Sequence, residues 1–102
     1  MAGREGVTIG LDVGTSGLKA VAQTADGRVT AEAHGDYPLL TPHPGWTEQD
    51  PDAWWRAACS ALRELVDQVG PDRVEAVAAA GQMHGMVALD EAGRPVRPAL
   101  LW

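Results

Sequence analysis

The opening third of the chain alternates. Val7, Ile9, Leu11 and Val13 are apolar, and Thr8, Gly10 and Asp12 fall between them. That period of two predicts a half-buried β-strand. Gly14-Thr15-Ser16-Gly17 predicts a turn, and Leu18 to Thr24 a second strand. Asp26-Gly27 is a two-residue hairpin signal, and Arg28 to Ala33 returns as a third strand. These three make an antiparallel meander. Pro38, Pro42, Pro44 and Gly45 predict an extended loop from Tyr37 to Gln49.

The period then changes to that of a helix. Asp50 can accept from the free N–H groups of a first turn, and Pro51 lacks only an N–H that would go unused there. Asp52 suits the positive end of the helix dipole. Trp54, Ala58, Ala61, Leu62, Leu65, Val66 and Val69 form the apolar face, and Gly70-Pro71 ends it. Val74 to Ala80 is apolar on both faces, which predicts a strand buried at the centre of a sheet. Met86 to Leu89, a turn at Asp90-Glu91-Ala92-Gly93, and Val96 predict a further hairpin.

A meander followed by a helical crossover excludes a pure Rossmann unit. The order β-β-β-α-β plus a hairpin matches half of the actin-like, ribonuclease-H-like ATPase fold, in the α/β class. At 102 residues the chain holds at most one ordinary domain. Its 45% apolar content is enough for a core and too high for a disordered tail.

Charge removes one class of function. The formal net charge is −6, and Lys19 is the only lysine, so no basic patch can neutralise a nucleic-acid backbone. Cys59 is the only cysteine, which excludes an internal disulfide and fits a reducing cytoplasm. No run approaches a membrane span, and the N-terminus lacks the apolar core of a signal peptide.

Two segments carry candidate chemistry. In IGLDVGTSGLKA, residues 9–20, Asp12 nears the end of a strand and a Gly-Thr-Ser-Gly turn follows. Glycines let backbone N–H groups approach a phosphate, and Thr15 and Ser16 add hydroxyls. A strand-end carboxylate can hold Mg²⁺ through water. Charge stabilisation and alignment are what phosphoryl transfer requires, and Lys19 can add a positive charge. A tight hairpin turn with an exposed Asp12 accounts for the same residues. Neither G-x-x-x-x-G-K-[ST] nor G-x-G-x-x-G is present. The second segment is Gln82-Met83-His84, a polar break after an apolar strand. An amide and an imidazole there can bond sugar hydroxyls in a strand-end crevice. A His satisfied by a backbone carbonyl, with Met83 in the core, is the other reading.

In HPGWTEQDP, residues 43–51, a rigid loop and a helix cap suffice, with Trp46 packed beneath the loop. His34 and His43 read as exposed, Cys59 as a small core residue, and Trp54-Trp55 as divided between core and surface. Trp102 is either a core plug or a flat face for a ligand.

The strings IGLDVGTSGLKA, HPGWTEQDP, AGQMHGMVALD and RPVRPALLW, in that order, resemble the N-terminus of the FGGY carbohydrate kinases. The likeness covers almost the whole chain from Val7 on. Gln-Met-His-Gly is similar to the members acting on D-xylulose; the glycerol-phosphorylating members carry an Arg-Glu pair there. The resemblance implies a kinase converting ATP and D-xylulose to ADP and D-xylulose 5-phosphate. It places Asp12 near Mg²⁺ and the γ-phosphate, and Gly14, Thr15 and Ser16 in the phosphate turn, with Lys19 beyond it. Gln82, Met83, His84 and Trp102 would face the sugar. The family fold is two actin-like domains with the site between them, so residues 1–102 would be an incomplete first domain. The second domain, the adenine site and the aspartate that deprotonates the sugar hydroxyl would lie outside the chain, leaving it inactive alone. A homodimer of the full-length protein fits. A kinase for ribulose or another ketose, and a non-catalytic module pairing through its sheet edge, are the competing expectations.

Overall fold

The computed structural model describes residues 5–102. The alternating opening folds as expected. β1 (Val7–Val13), β2 (Gly17–Gln23) and β3 (Val29–Asp36) form the antiparallel meander. β3 runs past Ala33 because Lys19, Leu18 and Gly17 still offer it partners in His34, Gly35 and Asp36. At the hairpin, Gly27 takes φ +90°, which a side chain would resist. Asp26 accepts from the Thr24 hydroxyl and from the Arg28 N–H. Those bonds, the Thr24 one first, hold its carboxyl below the ordinary carboxylate value.

α1 (Pro51–Val69) begins as the sequence predicts, with the Asp50 side chain accepting from the Asp52 N–H at 2.9 Å. It ends where Gly70 returns its N–H to the Val66 carbonyl. The buried line is Ala57, Ala61, Leu65 and Val69, one residue per turn. Ala58, Leu62 and Val66, counted in the face by periodicity, are half-buried flanks, and Ala57 joins in their place. The reason is contact size. A Cβ placed on Gly35 would stand 2.9 Å from the Ala57 Cβ, so the helix seats there only because β3 has no side chain at that point. The core is therefore Ile9, Leu18, Ala20, Ala22, Ala31 and Ala33 below and the Ala57–Val69 line above. Cys59 is half-buried. Trp54 is half-buried and Trp55 is 71% exposed, the expected division.

After a 3₁₀ turn at Pro71–Arg73, β5 (Val74–Gly81) runs parallel to β1. Its place corrects the sequence reading. The strand order is β3-β2-β1-β5, so β5 is an edge, and all its residues but Val74 are exposed. The composition of a strand apolar on both sides reflects what could cover it, and α1 lies over β2 and β3 instead.

The proline loop is more ordered than its composition suggests. β4 (Glu48–Gln49) pairs with β6 (Ala99–Leu100), and Leu40 bridges Glu48. Arg97 forms an ion pair with buried Glu48. Trp46 does not pack under the loop: it is 49% exposed, edge-on to the exposed His43 at 4.7 Å. The second hairpin survives as a turn, with Asp90 accepting from the Ala92 and Arg94 N–H groups. Its arms meet at the Leu89–Pro95 bridge, through the Val96 N–H to the Ala88 carbonyl and the Asp90 N–H to the Arg94 carbonyl. Met86 pairs instead with Leu100. This outlying part lengthens the molecule to 55 × 29 × 20 Å and raises its radius of gyration to 16.0 Å. A compact chain of this length would have about 13 Å. Among the described residues no helix is long and apolar enough to cross a membrane.

Candidate functional site

Two loop segments meet at one end of the sheet. The rungs Asp12–Ala80 and Val13–Gly81 bring the end of β1 beside the end of β5. The turn after β1 and the polar break after β5 are thereby neighbours, though 67 residues separate Thr15 from Gln82.

The turn is built by close approach. Gly14 donates its N–H to the Gly17 carbonyl at 3.0 Å. Gly17 lies so near β3 that a Cβ there would stand 2.8 Å from the Gly35 carbonyl oxygen. Below the turn, the Tyr37 hydroxyl donates to the Gly14 carbonyl at 2.5 Å. Beside it opens a polar cavity of about 310 Å³, with Asp12, Ser16, Lys19, His34 and Asp36 in its lining. Asp12 and Ser16 are exposed, as is His34, matching expectation. Lys19 lies opposite Asp12 across the ladder and pairs with Glu32 at 3.2 Å. Both partners are half exposed, so the pair contributes at most about 1 kcal/mol and can yield to an anion.

Burial, with the Asp12 carboxylate as a smaller influence, pushes the Tyr37 phenol above its ordinary value of 10.0. A folded-state pKa raised above the unfolded one adds stability that is complete below pH 10 and lost as pH rises through the folded value. Tyr37 is the only tyrosine, so the ultraviolet absorbance of its phenolate reports it alone. We expect a midpoint above 10, falling part of the way back in Asp12→Asn. A wild-type midpoint at or below 10 would show the phenol to be solvated.

Among the described residues no three of His, Cys, Asp and Glu are grouped to hold a metal unaided. Mg²⁺ asks for less: one or two carboxylates, with phosphates and water completing its shell. Asp12 and Asp36, facing one cavity, fit that requirement.

At the end of β5, Gln82 is half-buried, with both ends of its amide bonded. Its Oε1 accepts from the Thr15 hydroxyl at 2.9 Å, and its Nε2 donates to Gln49 Oε1 at 3.2 Å. Gln49 then donates from Nε2 to the Thr15 carbonyl at 2.5 Å and accepts from Trp54 Nε1 at 3.0 Å. The Thr15 hydroxyl proton, expected to face a phosphate, is thus committed inside the protein. Gln49 is 0% exposed, and sequence reading passed over it as loop. The available signal was an uncharged amide just before a helix cap, where solvent-exposed loops need none.

Beyond Gln82 the chain turns outward. Met83 is 74% exposed, so it is not a core residue. His84 is exposed and takes φ +64°, the only positive φ outside glycine among the described residues. Such conformations cost of order 1 kcal/mol or more and concentrate at functional sites. Trp102 is 69% exposed, which rules out a core plug. It lies two residues outside the Met86–Leu100 bridge, on the same side as His84. Between α1 and β5 a second, apolar cleft of about 550 Å³ is walled by Leu11, Val13, Trp54, Trp55 and Ala80, with Gln82 at its rim.

The profile of the FGGY family of carbohydrate kinases, N-terminal domain, matches residues 7–102, taking in both segments. The chain belongs to the FGGY family of carbohydrate kinases. As an FGGY chain it is 45% identical over 94 residues to the xylulose kinase of Escherichia coli (strain K12), covering 92% of this chain and 19% of that one. A glycerol kinase of Aquifex aeolicus (strain VF5) is 36% identical over 97 residues, covering 94% and 20%. The crystal structure of xylulose kinase from Rhodospirillum rubrum superposes with a TM-score of 0.87 at 34% identity, over 93% of this chain and 20% of that one. This likeness bears out the actin-like, ribonuclease-H-like fold read from the order of elements. The FGGY chain spans about a fifth of the length of the curated relatives it matches.

Proposed function

We propose that these residues supply the first part of an ATP-dependent kinase that phosphorylates D-xylulose to D-xylulose 5-phosphate. The observation that carries the reading is the meeting of a glycine-hydroxyl turn and a Gln-Met-His strand end at one end of the β1–β5 ladder. Likeness to named xylulose kinases supports the choice of sugar.

In this reading Asp12 would hold Mg²⁺ through water, Gly14 shapes the turn through its bond to the Gly17 carbonyl, and the backbone N–H groups of Thr15 and Ser16 orient the phosphates. Lys19 leaves Glu32 to add positive charge. When bound, Mg²⁺ and ATP supply the phosphoryl group and neutralise its charge. Gln82 fixes the strand end, Met83 covers an apolar face of the sugar, and His84 bonds a hydroxyl, with Trp102 as a flat wall. The acceptor hydroxyl gives its proton to a carboxylate outside these 102 residues, and the single Cys59 suits a cytoplasmic setting. A second reading, a kinase for another ketose or for glycerol, draws on the 36% identity to a glycerol kinase. A non-catalytic module draws on the open β5 edge.

An assay coupling ADP formation to D-xylulose, D-ribulose and glycerol separates these. The full-length protein is expected to turn over D-xylulose fastest, and the 102-residue chain to be inactive. No turnover of any of the three by the full-length protein would leave the module reading. In the full-length protein, His84→Ala is expected to raise KM for D-xylulose about tenfold with KM for ATP unchanged, since losing one polar sugar contact removes on the order of 1–2 kcal/mol. An unchanged KM for the sugar would take His84 out of the site.

A further inference from the structure

We infer that Gln49 is a positioning residue that locks the phosphate-side turn to the sugar-side strand end. The inference rests on the kinase reading above for its catalytic consequence, but the lock itself stands on geometry. Thr15, Gln49 and Gln82 close a ring. The Gln49 amide spans from the Thr15 carbonyl to Gln82 Nε2, and Gln82 Oε1 returns to the Thr15 hydroxyl. Three segments distant in sequence are joined there: the β1–β2 turn, β4, and the end of β5.

The ring has one direction only. The Trp54 indole N–H can only donate, so it sets the oxygen of the Gln49 amide toward itself. The Thr15 carbonyl can only accept, so it takes the nitrogen of the same amide. With Gln49 fixed from both sides, Gln82 must present its nitrogen to Gln49 and its oxygen to the Thr15 hydroxyl. Two ambivalent amides and a free-spinning hydroxyl are thereby reduced to one arrangement. Gln49 is wholly buried, and no buried side-chain polar atom among the described residues lacks a partner. β4 also carries β6 on its other side, and the Leu101 N–H bonds the Thr47 carbonyl at 2.9 Å. The segment leading to Trp102 is therefore tied to the strand that carries Gln49.

Phosphoryl transfer needs donor and acceptor aligned, and an ångström of misplacement can reduce the rate about a hundredfold. A rigid tie between the two sides supplies that alignment without touching either substrate.

Gln49→Met keeps the length and removes the ring. Hydrogen exchange on the 102-residue chain and kinetics on the full-length protein test it together. The expected result is exchange at least tenfold faster at Gly14 and Gly81, with Leu65 in the helix core unchanged. In the full-length protein kcat should fall about tenfold or more, measured well below the melting temperature, with KM for ATP little altered. Exchange that rises equally at Leu65 and Gly14, or kcat unchanged per folded molecule, would overturn the inference and leave Gln49 a general support of the fold. Should the wild-type protein phosphorylate nothing, the kinase reading fails and hydrogen exchange alone decides the lock.

Discussion

Gly35→Val, on the face of the sheet that α1 covers, is expected to lower the melting temperature of the chain by roughly 10–20 °C. The cause is geometric. A Cβ at Gly35 meets the Ala57 Cβ at 2.9 Å and the Ala57 Cα and carbonyl oxygen at 3.3 Å. None of these atoms belongs to a flexible side chain, so the helix itself must move, and overpacking of this kind costs about 1–3 kcal/mol or more. Gly35→Ala should fall by less, since one methyl shifts α1 less than three carbons do. The gain from a stiffer unfolded chain, below about 1 kcal/mol, does not offset the clash. Gly35→Ala with Ala57→Gly transposes the small pair. It should recover part of the loss, short of full recovery because glycine inside a helix costs about 1 kcal/mol. Thermal denaturation of the three variants checks this. An unchanged melting temperature in Gly35→Ala would mean that α1 is not seated on β3 at that point.

Asp12→Asn in the full-length protein carries the largest expected effect on activity. It preserves the shape and removes the charge. If Asp12 holds Mg²⁺ at the γ-phosphate, kcat should fall about a hundredfold to a thousandfold, the scale seen when one preorganised electrostatic contact is deleted. The melting temperature should hardly move, because Asp12 is exposed and makes no ion pair among the described residues. KM for D-xylulose should also hold, since the sugar side is built on β5. A kcat within twofold of wild type would reduce Asp12 to an exposed residue beside a tight turn.

The parts of this fold dictated by local chemistry were legible. Period-two alternation, Asp26-Gly27, the Asp50 cap and Gly70 each specify their element through contacts a few residues away. β5 was not, because apolar composition reports that a strand will be covered and is silent on when and by what. Its neighbours on the outer side are absent from the described residues, and α1 lies elsewhere. β4 was hidden for a related reason: two residues paired to a segment fifty positions later leave no periodic trace. In the candidate site, Asp12, the turn and the strand end stood out because glycines and polar breaks interrupt a pattern. Gln49 escaped because it interrupts nothing. Its importance comes from Thr15, Trp54 and Gln82, which only the folded chain brings to it.

The sheet also implies an order of assembly. Val13 pairs with Leu18, five positions along, and with Gly81, sixty-eight positions along. The first pairing closes a short turn and can form on its own, whereas the second must wait for the meander, the loop and α1 to be in place, since long closures slow folding. On a growing chain the Gly14–Gly17 turn is therefore shaped tens of residues before the Gln82 that will fasten it has been synthesised, and β5 is the last strand of the four-stranded sheet to dock.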